Sequence, residues 1–153
     1  MQLRTELEIS APPQKVWEVL VDLEHYAEWN PLITHAEGTL EVGERLQLNV
    51  SQPRGHASTI RFTVVKLDAP LELRWRSRFI SPVLFQSEQF FLLQETAGGG
   101  TKLIHGTDFR GFLAKRYSVM LPSTARGFAH MNQALKDKVE GRPRRRARAR
   151  KMK

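Results

Sequence analysis

Cysteine is absent from the 153 residues. That excludes disulfides, a thiol nucleophile and any cysteine-based zinc site, and it suits a reducing cytoplasm. Long apolar runs are missing too: none approaches the roughly 20 residues that a membrane-spanning helix needs. The first residues, MQLRTELEIS, alternate charged and apolar side chains and do not read as a signal peptide. Acids are missing from the end of the chain, where RPRRRARARKMK (142–153) holds eight Arg or Lys and no Asp or Glu. The net charge of +8 comes from 24 basic and 16 acidic residues, so removing those eight leaves residues 1–141 neutral. The high isoelectric point therefore says nothing about a basic groove on the folded part.

What is present reads as one domain, residues 1–141, followed by a disordered basic tail, 142–153. Hydrophobic content of 41% suffices for one sizeable core. Leu3, Thr5, Leu7 and Ile9 alternate with Arg4, Glu6 and Glu8, which predicts a half-buried strand over 3–10. Pro12-Pro13 opens a helix carrying Val16, Leu20 and Leu23 at helical spacing. Asp22 is the expected N-cap of a second short helix, 23–29, which Asn30-Pro31 stops. That helix ends on Trp29, so a large aromatic sits directly before a helix-stopping pair. Strands are expected at 33–40, 44–52, 56–68, 71–80, 84–96 and 101–112, separated by short turns at 41–43, 53–55, 68–70, 81–82 and 98–100. GFLAKRYSVML (111–121) is ambiguous and Pro122 interrupts it. Beyond it Phe128, Met131, Leu135 and Val139 mark one apolar helix face, closed by Gly141. Seven strands and one long helix predict an α+β fold in which an antiparallel sheet curls round that helix, with room for a cavity between them.

Strand alternation assigns faces. Leu103, His105, Thr107 and Phe109 point one way and Lys102, Asp108 and Arg110 the other, the charged side being solvent. His105 among Leu and Phe is either a base or hydrogen-bond anchor for a ligand, or an interior His satisfied by a neighbouring strand. Leu73, Trp75, Ser77 and Phe79 face inward on the strand whose other side carries Arg74, Arg76 and Arg78. This arginine ladder is expected to be balanced by acids on adjacent strands such as Glu88. GGGTK at 98–102 lacks phosphate-loop spacing and reads as a hairpin turn. His25, His35, His56, His105 and His130 form no close-spaced ligand set on one element, so no metal site is expected.

The element order and four strings, ISAPPQKVWEVLVDLEHYAEWNPLI (9–33), VGERLQL (42–48), GGGTKLIHGTDFRGFL (98–113) and GFAHMNQALKDKVE (127–140), resemble the SRPBCC superfamily, the START or Bet v 1-like helix-grip proteins. The bacterial polyketide cyclase/dehydrase-like branch is the most similar, and the resemblance runs over residues 3–140. It implies binding of lipids, quinones, hormones or polyketides. It also implies that Trp29 packs at one end of the grip, while Asn30-Pro31 fixes the turn into the next strand. On the strand before the hairpin it places Gln89, Phe91 and Leu93 inward and Phe90 and Leu92 outward, where two exposed apolar residues would suggest a dimer contact or cover by the tail. Relatives are expected to carry His where Gln89 stands, and Gln can be neither acid nor base.

The expected function is binding of a hydrophobic small molecule, without a cofactor, by a cytoplasmic monomer or homodimer. The expected cavity walls are Val16, Leu20, Trp75, Phe79, Gln89, Phe91, Leu93, His105, Thr107, Phe109, Phe128, Met131 and Leu135. The alternatives are a cyclase or dehydratase using His105 as general base, and an interaction protein whose basic tail meets a polyanion or an anionic membrane surface. If His105 touches only ligand, His105→Phe should cost no more than ~1–2 kcal/mol.

Overall fold

The computed structural model describes residues 1–51, 57–79 and 85–142, without the side chains of Arg78 and Phe79. The expected turns at 53–55 and 81–82, the Phe79 wall, Arg78, His56 and the tail from 143 on lie outside the described residues.

Strand β1 (Gln2–Ile9) is followed by helix α1 (Pro13–Leu20), a 3-10 turn (Leu23–His25) and the short α2 (Tyr26–Trp29). Strands β2 (Ile33–Gly38), β3 (Arg45–Ser51), β4 (Ala57–Asp68), β5 (Glu72–Phe79), β6 (Phe85–Glu95) and β7 (Thr101–Arg110) follow. A second 3-10 segment (Ala114–Met120) leads into the long helix α3 (Leu121–Val139). The strands form one antiparallel sheet in the order β1-β7-β6-β5-β4-β3-β2. From β2 on, each strand pairs antiparallel with the next, and β1 joins the far edge beside β7 because the two helices carry the chain across from one edge to the other. This is the helix-grip fold.

Pro122 does not interrupt α3. It sits in the helix's first turn, where a missing N–H costs nothing. Asp22 makes no cap hydrogen bond. Its carboxylate instead holds the His25 ring, 2.8 Å from Nδ1, and raises the His25 pKa. Val16, Leu20, Leu73, Trp75, Phe91, Leu93, Leu103, Met131 and Leu135 are all buried in one core between sheet, α1 and α3. At the far end of α3 the Glu140 carboxylate accepts from the Ser10 N–H and from Lys136, tying the helix to the end of β1.

Trp29 is buried in this core, edge-on to Tyr26 with ring centres 5.2 Å apart. The Tyr26 hydroxyl donates to the Leu20 carbonyl, and burial raises its pKa. The Asn30 side-chain oxygen accepts from the N–H groups of Leu32 and Ile33 at 2.9 and 2.8 Å. Trp29 thus plugs one end of the core, while Asn30 supplies the hydrogen bonds that turn the chain sharply into β2.

The outer face of the sheet corrects one expectation. Phe90 points outward but is only 2% exposed. Its ring lies across Gly106, and the Arg74 guanidinium covers it 4.9 Å from the ring centre. Leu92 is half-buried opposite Ile104. Neither residue is left open for a partner. Arg74 and Arg76 also pair with Glu88, and Arg74 with Glu72, so the described part of the ladder is balanced. A Cβ at Gly106 would stand 2.3 Å from the Leu3 carbonyl and 2.5 Å from the Phe90 ring. Because a β1 backbone atom cannot step aside, Gly106→Ala is expected to cost about 1–2 kcal/mol in urea unfolding, with Phe90 displaced toward solvent.

Candidate functional site

The inward face of β7 carries His105 into a closed polar chain inside the core. His105 is fully buried, with Phe91 stacked on one side at 4.3 Å and Phe128 on the other at 3.9 Å between ring centres. Its Nε2 is 2.7 Å from Gln89 Nε2 and its Nδ1 is 2.8 Å from Asn132 Oδ1.

The ends of the chain fix the direction of every bond. The Trp75 indole N–H can only donate, and it donates to Gln89 Oε1 at 2.8 Å. Gln89 therefore turns its amide N–H toward His105 Nε2. At the other end the Thr5 hydroxyl donates to the His105 carbonyl at 2.7 Å, so it accepts from Asn132 Nδ2 at 2.8 Å. That leaves Asn132 Oδ1 to accept from His105 Nδ1–H. The imidazole is thus the neutral Nδ1–H tautomer with both nitrogens engaged. Burial drives its pKa from the ordinary 6.5 down to about 3, only partly offset by Asn132.

The cavity lies beside this chain, toward the first half of α3. It has a volume of about 380 Å³. Its walls come from Pro31, Leu32 and Ile33 after α2, Val50 and Ser51 of β3, Ile60 and Phe62 of β4, Phe85, Ser87 and Gln89 of β6, and Thr107 and Phe109 of β7. Tyr117 and Met120 of the 3-10 segment, with Ser123, Thr124, Arg126, Gly127, Phe128 and His130 of α3, close the other side. Aromatic rings dominate one flank: Phe85 stacks on Phe109 at 5.8 Å and on Tyr117 at 4.3 Å. Polar groups meet on the floor, where Gln89 and Thr107 are register partners across β6 and β7. Thr107 is 4% exposed, and its hydroxyl has no hydrogen-bond partner among the described residues.

Of the expected walls, Gln89, Thr107, Phe109 and Phe128 line this cavity. Val16, Leu20, Trp75, Phe91, Leu93, Met131 and Leu135 pack in the core beside it, and His105 lies behind Gln89 and Phe128 rather than on its wall. Sequence reasoning missed Asn132 and the walls supplied by β3, β4 and the residues after α2. Asn132 had a signal: it falls four residues after Phe128 and three before Leu135, a polar side chain on the buried stripe of α3. Among the described residues no group of His, Asp or Glu is arranged to hold a metal ion.

The family described as polyketide cyclase/dehydrase and lipid transport matches residues 1–140. The chain belongs to this family. Among solved structures, the Zhui aromatase/cyclase of Streptomyces sp. R1128 is 18% identical, with a TM-score of 0.74 over 92% of this chain and 93% of that one. A START superfamily protein from Mycobacterium smegmatis is 19% identical, with a TM-score of 0.73 over 92% and 97%. Ara h 8.0201 is 16% identical, with a TM-score of 0.70 over 92% and 98%. At these identities the likeness shows a shared fold, and fold alone does not name a ligand. Among curated proteins none matches the chain by sequence. No helix among the described residues is long and apolar enough to cross a membrane.

Proposed function

We propose that this family member binds an apolar small molecule bearing at least one oxygen, of the lipid, quinone or polyketide kind, in the cavity between sheet and α3. The observation that carries this reading is the cavity floor. Largely apolar walls surround the Thr107 hydroxyl, which has no hydrogen-bond partner among the described residues, beside the Gln89 amide, which keeps one N–H after bonding His105. Such a floor rewards a ligand that buries its body and presents an oxygen to Thr107 and Gln89.

The same geometry favours binding over a cyclase or dehydratase using His105. A general base needs a free lone pair within reach of the substrate. His105 Nε2 is occupied by Gln89, and the ring stands behind the cavity wall. A cytoplasmic setting, expected from the cysteine-free composition, belongs to the same proposal, as does a boundary between domain and tail near residue 141.

Filling the cavity tests the reading. Ser87→Phe places a ring into the floor opposite Phe109, from a half-buried position that can accept it. Affinity for a small apolar probe such as menadione should fall about tenfold or more, the order expected when several apolar contacts are lost, while the melting temperature stays close to wild type. Unchanged affinity in a folded variant would move the ligand elsewhere.

A further inference from the structure

The longest acid-free stretch of the chain runs from Phe109 to Lys136, and its first part crosses the mouth of the cavity. After β7, Gly111 turns the chain at φ +106°, and the 3-10 segment Ala114–Met120 follows. In a 3-10 helix side chains three apart eclipse one another. Ala114, Tyr117 and Met120 therefore share a face, and it is turned inward: Ala114 is buried, while Tyr117 and Met120 line the cavity. The stacking of Tyr117 on Phe85 fastens the segment there.

The outward rows mix large apolar groups with cations. Arg116 shares a row with Val119, and Phe112 lies in the turn just before the segment, three residues ahead of Lys115. Phe112 is 80% exposed and Val119 81%, while Met120, at the rim of the inward row, is 43% exposed. Lys115 and Arg116 are exposed and have no carboxylate partner among the described residues. Exposing Phe and Val so fully is unfavourable in water unless something covers them.

We propose that residues 111–120 dock the cavity mouth onto an anionic lipid bilayer. Phe112 and Val119 enter the boundary between headgroups and acyl chains, and Lys115 and Arg116 meet the headgroup phosphates. Charge decides between a bilayer and a second copy of the chain. Two copies meeting through this face would set cation against cation with no acid to relieve them, whereas an anionic leaflet supplies the missing negative charge. Docking places the rim formed by Tyr117 and Met120 against the lipid, giving an apolar ligand a path that avoids water. That use of the surface rests on the cavity reading above. The docking itself does not.

The test uses the full chain carrying Phe112→Trp. The three native Trp are 6%, 4% and 0% exposed at positions 17, 29 and 75, so an added exposed indole is a distinct reporter. With mixed phosphatidylcholine and phosphatidylglycerol vesicles its emission should shift to the blue and be quenched by brominated acyl chains. Adding Val119→Ser should weaken partition roughly tenfold, by loss of an inserted apolar side chain. Adding Lys115→Glu with Arg116→Glu should abolish the shift. Vesicle capture with the emission unchanged from water would mean binding through the 142–153 tail and would overturn the proposal. So would no capture at all, or a blue shift that grows with protein concentration in the absence of vesicles. Menadione titration in vesicle-free buffer is a separate readout. Its failure with docking retained removes the ligand reading alone, and the converse removes the surface alone.

Discussion

His105→Phe is expected to destabilise the protein by about 3–5 kcal/mol, well beyond the ~1–2 kcal/mol anticipated for a ring that only touches ligand. The ring would still fit between Phe91 and Phe128. What it cannot do is accept from Gln89 Nε2 or donate to Asn132 Oδ1. Each of those buried groups then loses its partner, at about 1–3 kcal/mol apiece. The damage also spreads, since Trp75 and Thr5 orient Gln89 and Asn132 through the same chain. His105→Gln, which can both donate and accept, should recover part of the loss. Urea unfolding of the two variants checks this, and a Phe variant as stable as wild type would dissolve the network as a structural unit.

Acid should weaken the wild type through the same residue. The His105 pKa is about 3 when folded and 6.5 in its ordinary state. Because the folded value is depressed, the unfolded chain binds a proton that the folded chain refuses. Stability from this group is therefore intact above pH 6.5, is lost progressively as pH falls toward about 3, and levels off below that. The slope approaches about 1.4 kcal/mol per pH unit, or about 2 kcal/mol between pH 7 and pH 5. The comparison is differential: wild type should lose that much more than His105→Gln over the same interval. Parallel losses would mean that His105 takes up a proton while folded.

The fold was legible because alternation and helical spacing act locally. Leu73, Trp75 and Ser77 against Arg74 and Arg76, and the stripe from Phe128 to Val139, each state which side is buried. The strand limits of β1 to β7 fall within two residues of those expected. The site was legible in orientation only. His105, Thr107 and Phe109 do share a face, yet nothing in β7 reveals that Asn132, 27 residues on, and Gln89, 16 residues back, hold both imidazole nitrogens. Nor does periodicity distinguish filled from empty space. Val16, Leu20, Met131 and Leu135 are inward as expected and close one half of the grip by packing. The opening lies in the other half, against Ile33, Val50 and Ile60, whose strand positions look no different. Phe90 was misjudged because its cover is made by a glycine on one neighbouring strand and an arginine on the other.

Methyl-resolved NMR of the Ile and Val side chains during a menadione titration tests the central claim most directly. Ile33, Val50 and Ile60 line the cavity, while Val16, Val64 and Val139 are buried away from it. If the protein binds an apolar, oxygen-bearing ligand beside Thr107, the first three should shift saturably and show contacts to the quinone ring while the second three stay in place. Saturable shifts confined to the second set, or none in either, would contradict a ligand site in this cavity.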